Sequence, residues 1–267
     1  MIKFTLITIT YNAEPVLLRT LDSVLNQDWR MVEHIIIDGA STDGTLQMAK
    51  DYMERSYASG NGHDVRIVSE PDNGIYDAMN KGLAQASGDY ICFLNAGDAL
   101  PSADTLSAIV RQSGITPGLP GQAFPAVLYG DTHVVDGNGH FLYRRRLSPP
   151  ENLTWRSFRH GMLVCHQAFY ARTDIARQVP YDLSYRYSAD VDWCIRVMRL
   201  AADLHLPLKN VHAVVANYLE EGTTTRHHRA SLRERYHIMC KYYGRLSTMC
   251  MHLWFAIRNI IKQLNLL

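Results

Sequence analysis

The stretch CFLNAGDAL, residues 92–100, reads as an apolar strand, Cys92 to Leu94, running into a polar corner at Asn95, Gly97 and Asp98. A carboxylate at the end of a buried strand is a natural place to handle a metal ion or a phosphate, since open sheets meet their ligands at strand ends. Such corners usually hold two acids; this one holds Asp98 alone. Other polar residues follow other strands in the same way: Thr10, Tyr11 and Asn12 after the first, Asp38 after VEHIIIDG, and Glu70 to Asn73, with Asp72 among them, after DVRIVSE. In PDNGIYDAMNKG, Asn73-Gly74 turns the chain into a helix whose first backbone N–H groups suit a diphosphate. Asp77, Asn80 and Lys81 follow on adjacent turns, and Asp77 with Lys81 has the spacing of an i,i+4 ion pair. Asp190 and Asp192 open another helix. Two residues apart they point in different directions, so one of them faces a cleft, and Asp192 is placed to pair with Arg196.

These residues need a scaffold. Residues 2–10 are β-rich, 14–26 carry Pro15 at a first helical position with Val16, Leu17, Leu21, Val24 and Leu25 at helical spacing, and 32–39 form a short apolar run closed by Asp38-Gly39. Ser41, Thr42 or Asp43 can cap a helix over 44–55; strands over 64–70 and 89–95 then enclose a helix over about 75–86. Alternating strands and helices predict an α/β fold with a mostly parallel sheet flanked by helices. After a helix near 102–112 comes a Gly/Pro-rich loop, then two alternating runs around DGNG that predict a β-hairpin, a strand-like run in GMLVCHQAFYAR, and an amphipathic helix over 190–202. Residues 226–264 predict two further helices.

The charge balance, 27 Lys and Arg against 26 Asp and Glu, gives no overall field to attract nucleic acid. The five cysteines show no CxxC spacing and sit mostly among apolar neighbours, which suits reduced thiols in a cytosolic protein better than disulfides or a zinc site. MIKFTLITITYN reads as a first strand and not as a signal peptide. No G-x-G-x-x-G follows that strand, which argues against a nicotinamide dehydrogenase, and no Gly- and Arg/Lys-rich phosphate loop supports a nucleotidyltransferase.

TITYNAE, IIIDGASTDGT, SEPDNGIYDAMNKGLAQASGDYICFLNAGD and SADVDWCIRV occur in this order, and together they resemble the family 2 glycosyltransferases of GT-A fold, especially bacterial members that build exopolysaccharide, capsule or O-antigen units. The resemblance covers residues 1 to about 200. It implies an inverting transferase that moves a sugar from a nucleotide sugar, commonly a UDP-sugar, to an acceptor hydroxyl with Mg²⁺ or Mn²⁺. It further implies that Asp38 bonds the nucleotide base beside Thr10, Tyr11 and Asn12, and that Asp72, Asn73, Asp77 and Asn80 approach the donor. Asp98 matches the last acid of a DXD-like metal corner in which Asn95 coordinates or touches the sugar. Asp190 aligns with the general base, Ala189 standing where relatives carry another acid. His166-Gln167 lies where relatives place acceptor-side or phosphate-side residues, and Arg144 to Arg146 and Arg226 to Arg229 are further candidates for phosphate contacts.

The expected organisation is a catalytic domain over 1–220, with a nucleotide-sugar half (1–112) and an acceptor half (113–220), followed by a helical tail over 221–267. That tail is basic and apolar but too charged for a membrane span of roughly 20 apolar residues. It therefore reads either as a peripheral contact with the inner membrane face, where a lipid-linked glycan would be the acceptor, or as a helix packed on the domain or in a dimer. The competing reading from another class is a non-catalytic sugar-nucleotide-binding or scaffold protein.

Overall fold

A computed structural model describes residues 1–116, 124–220 and 228–263. Its N-terminal half alternates β1 (Phe4–Thr10), α1 (Glu14–Leu25), β2 (Val32–Asp38), α2 (Thr45–Ser59), β3 (Asp64–Ser69), α3 (Ile75–Gln85), β4 (Tyr90–Phe93) and α4 (Thr105–Ser113). Strands β3, β2, β1 and β4 lie side by side and parallel, with Thr10 opposite Asp38 and Asp38 opposite Ser69. Every residue of β1, β2 and β4 is buried, as expected of parallel strands covered by helices on both faces. The carboxyl ends of these strands therefore open on one side of the sheet.

The second half extends the sheet in mixed sense, so the expected parallel sheet is the core of a mixed one. Strand β7 (Phe169–Arg172) runs antiparallel between β4 and β5 (Val127–Val135). Beyond it β6 (Phe141–Arg144) joins the same edge of β5, while β8 (Leu208–Leu219) pairs parallel with the other. The DGNG hairpin forms as β5 and β6, closed by Asp136 N–H to His140 C=O (3.0 Å) and so longer than a two-residue turn. The strand-like run GMLVCHQAFYAR is shorter than expected: His166–Ala168 forms a single 3₁₀ turn and only Phe169–Arg172 pairs. Strand β8 has no counterpart among the expected elements, because its polar and apolar residues do not alternate cleanly.

Helix α5 (Thr173–Ala176) is one turn; α6 (Ala189–Asp203) buries Trp193, which stacks on Tyr181 and meets Phe93 edge-on beneath the site. The two C-terminal helices form as α7 (His228–Tyr243) and α8 (Arg245–Gln263). Helix α7 is packed, with Ile238 in the main core. Its Glu234 carboxylate accepts backbone N–H bonds from Arg186, Tyr187 and Ser188 at 2.8–2.9 Å, anchoring the segment that leads into α6. The expected boundary at 220/221 falls beside residues outside the described set, among which Arg226 and His227 lie.

Candidate active site

The corner after β4 is held from α1. Thr20 Oγ1 donates to Asp98 C=O (2.6 Å) and accepts from Gly97 N–H (2.9 Å), while Arg19 donates to Gly97 C=O. Gly97 takes φ +98°, and a Cβ there would meet Leu219 Cδ2 at 2.7 Å. Ala99 and Asn217 exchange backbone bonds of 3.0 and 2.8 Å, which ties the corner to β8. Asp98, 4% exposed, accepts from Leu219 N–H (3.0 Å) and Gln167 Nε2 (2.8 Å). It caps no helix, since α4 starts only at Thr105. Burial pushes its pKa up; those two bonds and the charge of Arg19 only partly oppose the rise. Asn95 donates from Nδ2 to His166 Nε2 (3.2 Å), and its Oδ1 is buried with no partner.

Asp190, at the first turn of α6, accepts from His166 Nδ1 at 3.3 Å and from the Tyr76 hydroxyl at 3.3 Å. Burial alone would raise its pKa, but the His166 hydrogen bond, with the Arg235 charge and the Val191 N–H, outweighs it and holds Asp190 below the usual carboxylate value. Burial first, and then the charge of Asp190, pushes the Tyr76 hydroxyl well above its ordinary value. Asp192 faces away as expected: it is fully buried and binds Arg196 Nε (2.6 Å), and also Lys241 Nζ (3.0 Å) and the Tyr242 hydroxyl (2.7 Å) of α7.

Asp98 and Asp190 share one cleft of about 640 Å³, of the size that takes small ligands, with Thr10, Tyr11, Asn12, Asp72, Tyr76, Asn95, His166, Gln167 and Tyr218 also in its wall. Asn12, at φ +47°, lends Oδ1 to Thr42 N–H (2.9 Å) and stitches the end of β1 to the loop after β2. Gly39 lets that loop close on the cleft, since a Cβ would stand 2.6 Å from Asp72 Oδ2 and 3.3 Å from Tyr11.

Four expected donor contacts, Asp38, Asn73, Asp77 and Asn80, do not line this cleft. Asp38 lies beneath it, fully buried, with its carboxylate taken by the Ser41 N–H and hydroxyl and by the Ser69 hydroxyl (2.6 Å). Asp77 accepts from Asn73 N–H (2.9 Å) and shapes the start of α3. Asn80 exchanges bonds of 3.0 and 2.8 Å with the Tyr181 backbone. Lys81 bonds Glu70 (2.9 Å) more closely than Asp77 (3.9 Å), and Arg145 is spent on the carbonyls of Met162 and Leu163. Tyr76 and Glu234, by contrast, were not singled out from sequence. Tyr76 sits inside a motif already read for its polar residues, and Glu234 acts across a gap in the chain that no local pattern spans.

The model of the family described as "Glycosyl transferase family 2" matches residues 5–175. The chain belongs to this family. It is accordingly a glycosyltransferase, and the match takes in β1, the loop after β2, the start of α3 and the Asp98 corner. A "PGL/p-HBAD biosynthesis glycosyltransferase" of Mycobacterium bovis is 34% identical over 221 residues, covering 82% of this chain and 77% of the relative. An uncharacterized glycosyltransferase of Mycobacterium tuberculosis is 33% identical over 72% of this chain and 67% of its own length. Among solved structures, Staphylococcus aureus TarS 1-349 in complex with UDP-GlcNAc superposes with TM-score 0.64 at 18% identity, over 89% of this chain and 64% of that one. The mannosyltransferase PcManGT of Pyrobaculum calidifontis, solved with GDP-Man and Mn²⁺, gives TM-score 0.58 at 19% identity over 96% and 64%. This glycosyltransferase thus has the GT-A fold and spans about two-thirds of those two structures.

Proposed function

We propose that this glycosyltransferase moves a sugar, with inversion, from a nucleotide-sugar donor, a UDP-sugar before others, to an acceptor hydroxyl on a lipid-linked glycan at the cytoplasmic face of the membrane. The observation that carries the reading is that one cleft brings the Asp98 corner, the Thr10–Asn12 strand end and Asp190 together. TarS holding UDP-GlcNAc and PcManGT holding GDP-Man with Mn²⁺ support the donor class.

The residues at the corner fit a small hard cation. The Asp98 carboxylate and the partnerless Asn95 Oδ1 are oxygen donors, and Mg²⁺ or Mn²⁺ needs few protein ligands when phosphate oxygens and water complete its shell. Among the described residues no cluster of three His, Cys, Asp or Glu side chains is present. When bound, the ion stabilises negative charge on the departing diphosphate. Asp190, held ionised, accepts the proton of the acceptor hydroxyl as that oxygen bonds the anomeric carbon and the bond from that carbon to the phosphate oxygen breaks. One displacement inverts the centre. Tyr76 and His166 keep the carboxylate in place.

The membrane part of the reading rests on α8. Leu246, Met249, Leu253, Trp254 and Ile257 recur at helical spacing and are all exposed, Leu246 by 80% and Leu253 by 63%. Residues 228–263 also carry Arg229, Arg233, Arg235, Lys241, Arg245, Arg258 and Lys262 against the one acid Glu234. No helix among the described residues is long and apolar enough to cross a membrane, so the contact would be interfacial.

A thermal-shift panel of UDP- and GDP-sugars with and without Mn²⁺ tests the donor assignment: at least one donor should stabilise the protein more with Mn²⁺, and no response to any of them would overturn it. Removing residues 247–267 should abolish sedimentation with vesicles of phosphatidylcholine and phosphatidylglycerol; unchanged sedimentation would sink the membrane contact.

A further inference from the structure

His166 and Gln167 are consecutive, buried, and between them touch the three polar groups at the heart of the cleft. Gln167 Nε2 donates to Asp98 Oδ2 at 2.8 Å; His166 lies 3.3 Å from Asp190 Oδ2 through Nδ1 and 3.2 Å from Asn95 Nδ2 through Nε2. An amide NH₂ only donates, so His166 Nε2 accepts, the ring proton sits on Nδ1, and Nδ1 donates to Asp190. The Asn95 amide is thereby oriented with its Oδ1 left without a partner. The turn itself is anchored in the sheet: β7 follows it directly between β4 and β5, and the Cys92 thiol of β4 donates to Gln167 C=O (3.2 Å).

Both contacts use neutral donors. Two other buried carboxylates are held by cations, Asp192 by Arg196 and Lys241 and Glu33 by Lys3 and Arg66, whereas Asp38 beneath the cleft also has neutral donors. At the cleft, Arg19 of α1 and Arg235 of α7 contribute only at longer range, and the direct partners are an amide, an imidazole, a phenol and a backbone N–H. A neutral donor fixes a carboxylate without cancelling its charge.

We propose that the His166–Gln167 turn is the positioning unit of the site. Gln167 sets the Asp98 carboxylate, His166 sets Asp190 and Asn95, and one rigid 3₁₀ turn thereby fixes the separation between the proton acceptor and the donor-diphosphate corner. Neither residue reacts; both act through the groups they hold. The inference rests on Asp190 as the base and Asp98 as the metal corner, and it predicts that Gln167 governs Mn²⁺-dependent binding while His166 governs turnover and, through Asn95, part of the Mn²⁺ response.

The experiment measures Mn²⁺-dependent affinity for UDP and GDP by calorimetry, and kcat for hydrolysis of the nucleotide sugar selected from UDP-GlcNAc and the other panel members. Gln167→Lys, which sets a cation on Asp98, should cut the gain in affinity that Mn²⁺ gives by roughly tenfold or more; the near-isosteric Gln167→Met checks the same effect without a new charge. His166→Ala should lower kcat by roughly 30-fold with Mn²⁺-free nucleotide affinity kept within about threefold, and His166→Asn, which restores a neutral donor, should recover part of the loss. The proposal is overturned if His166→Ala keeps kcat within about twofold, if both Gln167 variants keep the Mn²⁺ response, or if every variant loses both quantities in step with its melting temperature. Asp190→Asn separates the two levels. If Asp190→Asn is inactive and His166→Ala fully active, positioning alone fails; if Asp190→Asn turns over like wild type, or if Mn²⁺ changes neither UDP nor GDP binding, the base or corner assignment fails and the proposal with it.

Discussion

Two carboxylates buried in the same sheet are treated in opposite ways. Glu33, at the amino end of β2, is fully buried and over-supplied: the Thr5 hydroxyl (2.6 Å), the Ser87 N–H (2.7 Å) and hydroxyl (2.6 Å) donate to it, and Arg66 and Lys3 stand at 3.3 and 3.6 Å. Burial pushes its pKa up, yet these partners win and hold it low. Asp98, near the carboxyl end of β4, has one amide and one backbone N–H, and there burial wins. The difference separates a carboxylate that ties a structure together from one left short of positive charge, whose deficit a cation and its diphosphate would relieve.

The sharpest way to test that contrast is by function. Asp190→Asn should lower donor turnover by about 10³-fold while Mn²⁺-dependent UDP binding survives, and Asp98→Asn should do the reverse to binding; steady-state kinetics beside calorimetry read both. Stability gives the next largest effect. Glu33→Gln leaves cationic and hydroxyl partners without their charge and should cost about 3 kcal/mol in urea unfolding. Asp98→Asn removes a charge the fold under-supplies, so the metal-free protein should lose less than about 1 kcal/mol or gain stability; equal losses in the two variants would erase the distinction.

The pH dependence follows with a smaller amplitude. His34, bonded to Thr8 (2.9 Å) and Tyr52 (2.7 Å) in the core, has its pKa pushed down to about 3, first by burial and then by the charge of His63. A histidine kept neutral in the native state contributes stability that is complete above its unfolded value and is lost as pH falls through the window from about 6.5 toward the folded value. Glu33, also lowered, loses its contribution at still lower pH. Asp98 has the opposite sign: its raised pKa means that stability is withdrawn as pH rises through the folded value. Urea midpoints should therefore fall on acidification, with His34 accounting for about 2 kcal/mol between pH 6.5 and 5, and His34→Gln should flatten that limb. The smallest effect belongs to a partner on the surface: Lys241, half exposed, should cost less than about 1 kcal/mol as Lys241→Met even though it reaches the buried Asp192, because Arg196 and Tyr242 remain.

Residue type and spacing made several features legible. The strand–helix alternation, the DGNG hairpin, both C-terminal helices and the Asp192–Arg196 pair follow from contacts between near neighbours in the chain. The carboxyl ends of β1 and β4 and the start of α6 are legible from residue type, since turn residues after buried strands mark where a parallel sheet opens. Asp38, Asn73, Asp77 and Asn80 illustrate where that logic stops: their positions in the motifs were plain, but Ser41 and Ser69, the α3 turn and the Tyr181 backbone take up their polar atoms. The missed β8 supplies the Leu219 N–H that binds Asp98.

By itself, then, the sequence determined which segments become strands and helices and which acids stand at their ends, because propensity, burial period and turn chemistry are local. Only the tertiary structure decided which acids meet. Asp98 and Asp190 share a cleft because β7 inserts beside β4 and carries the His166–Gln167 turn between them, and Glu234 reaches α6 from a helix beyond β8. Those contacts join residues far apart in the chain, where the hydrogen-bonding capacity of a buried group is matched by whatever the packing brings to it.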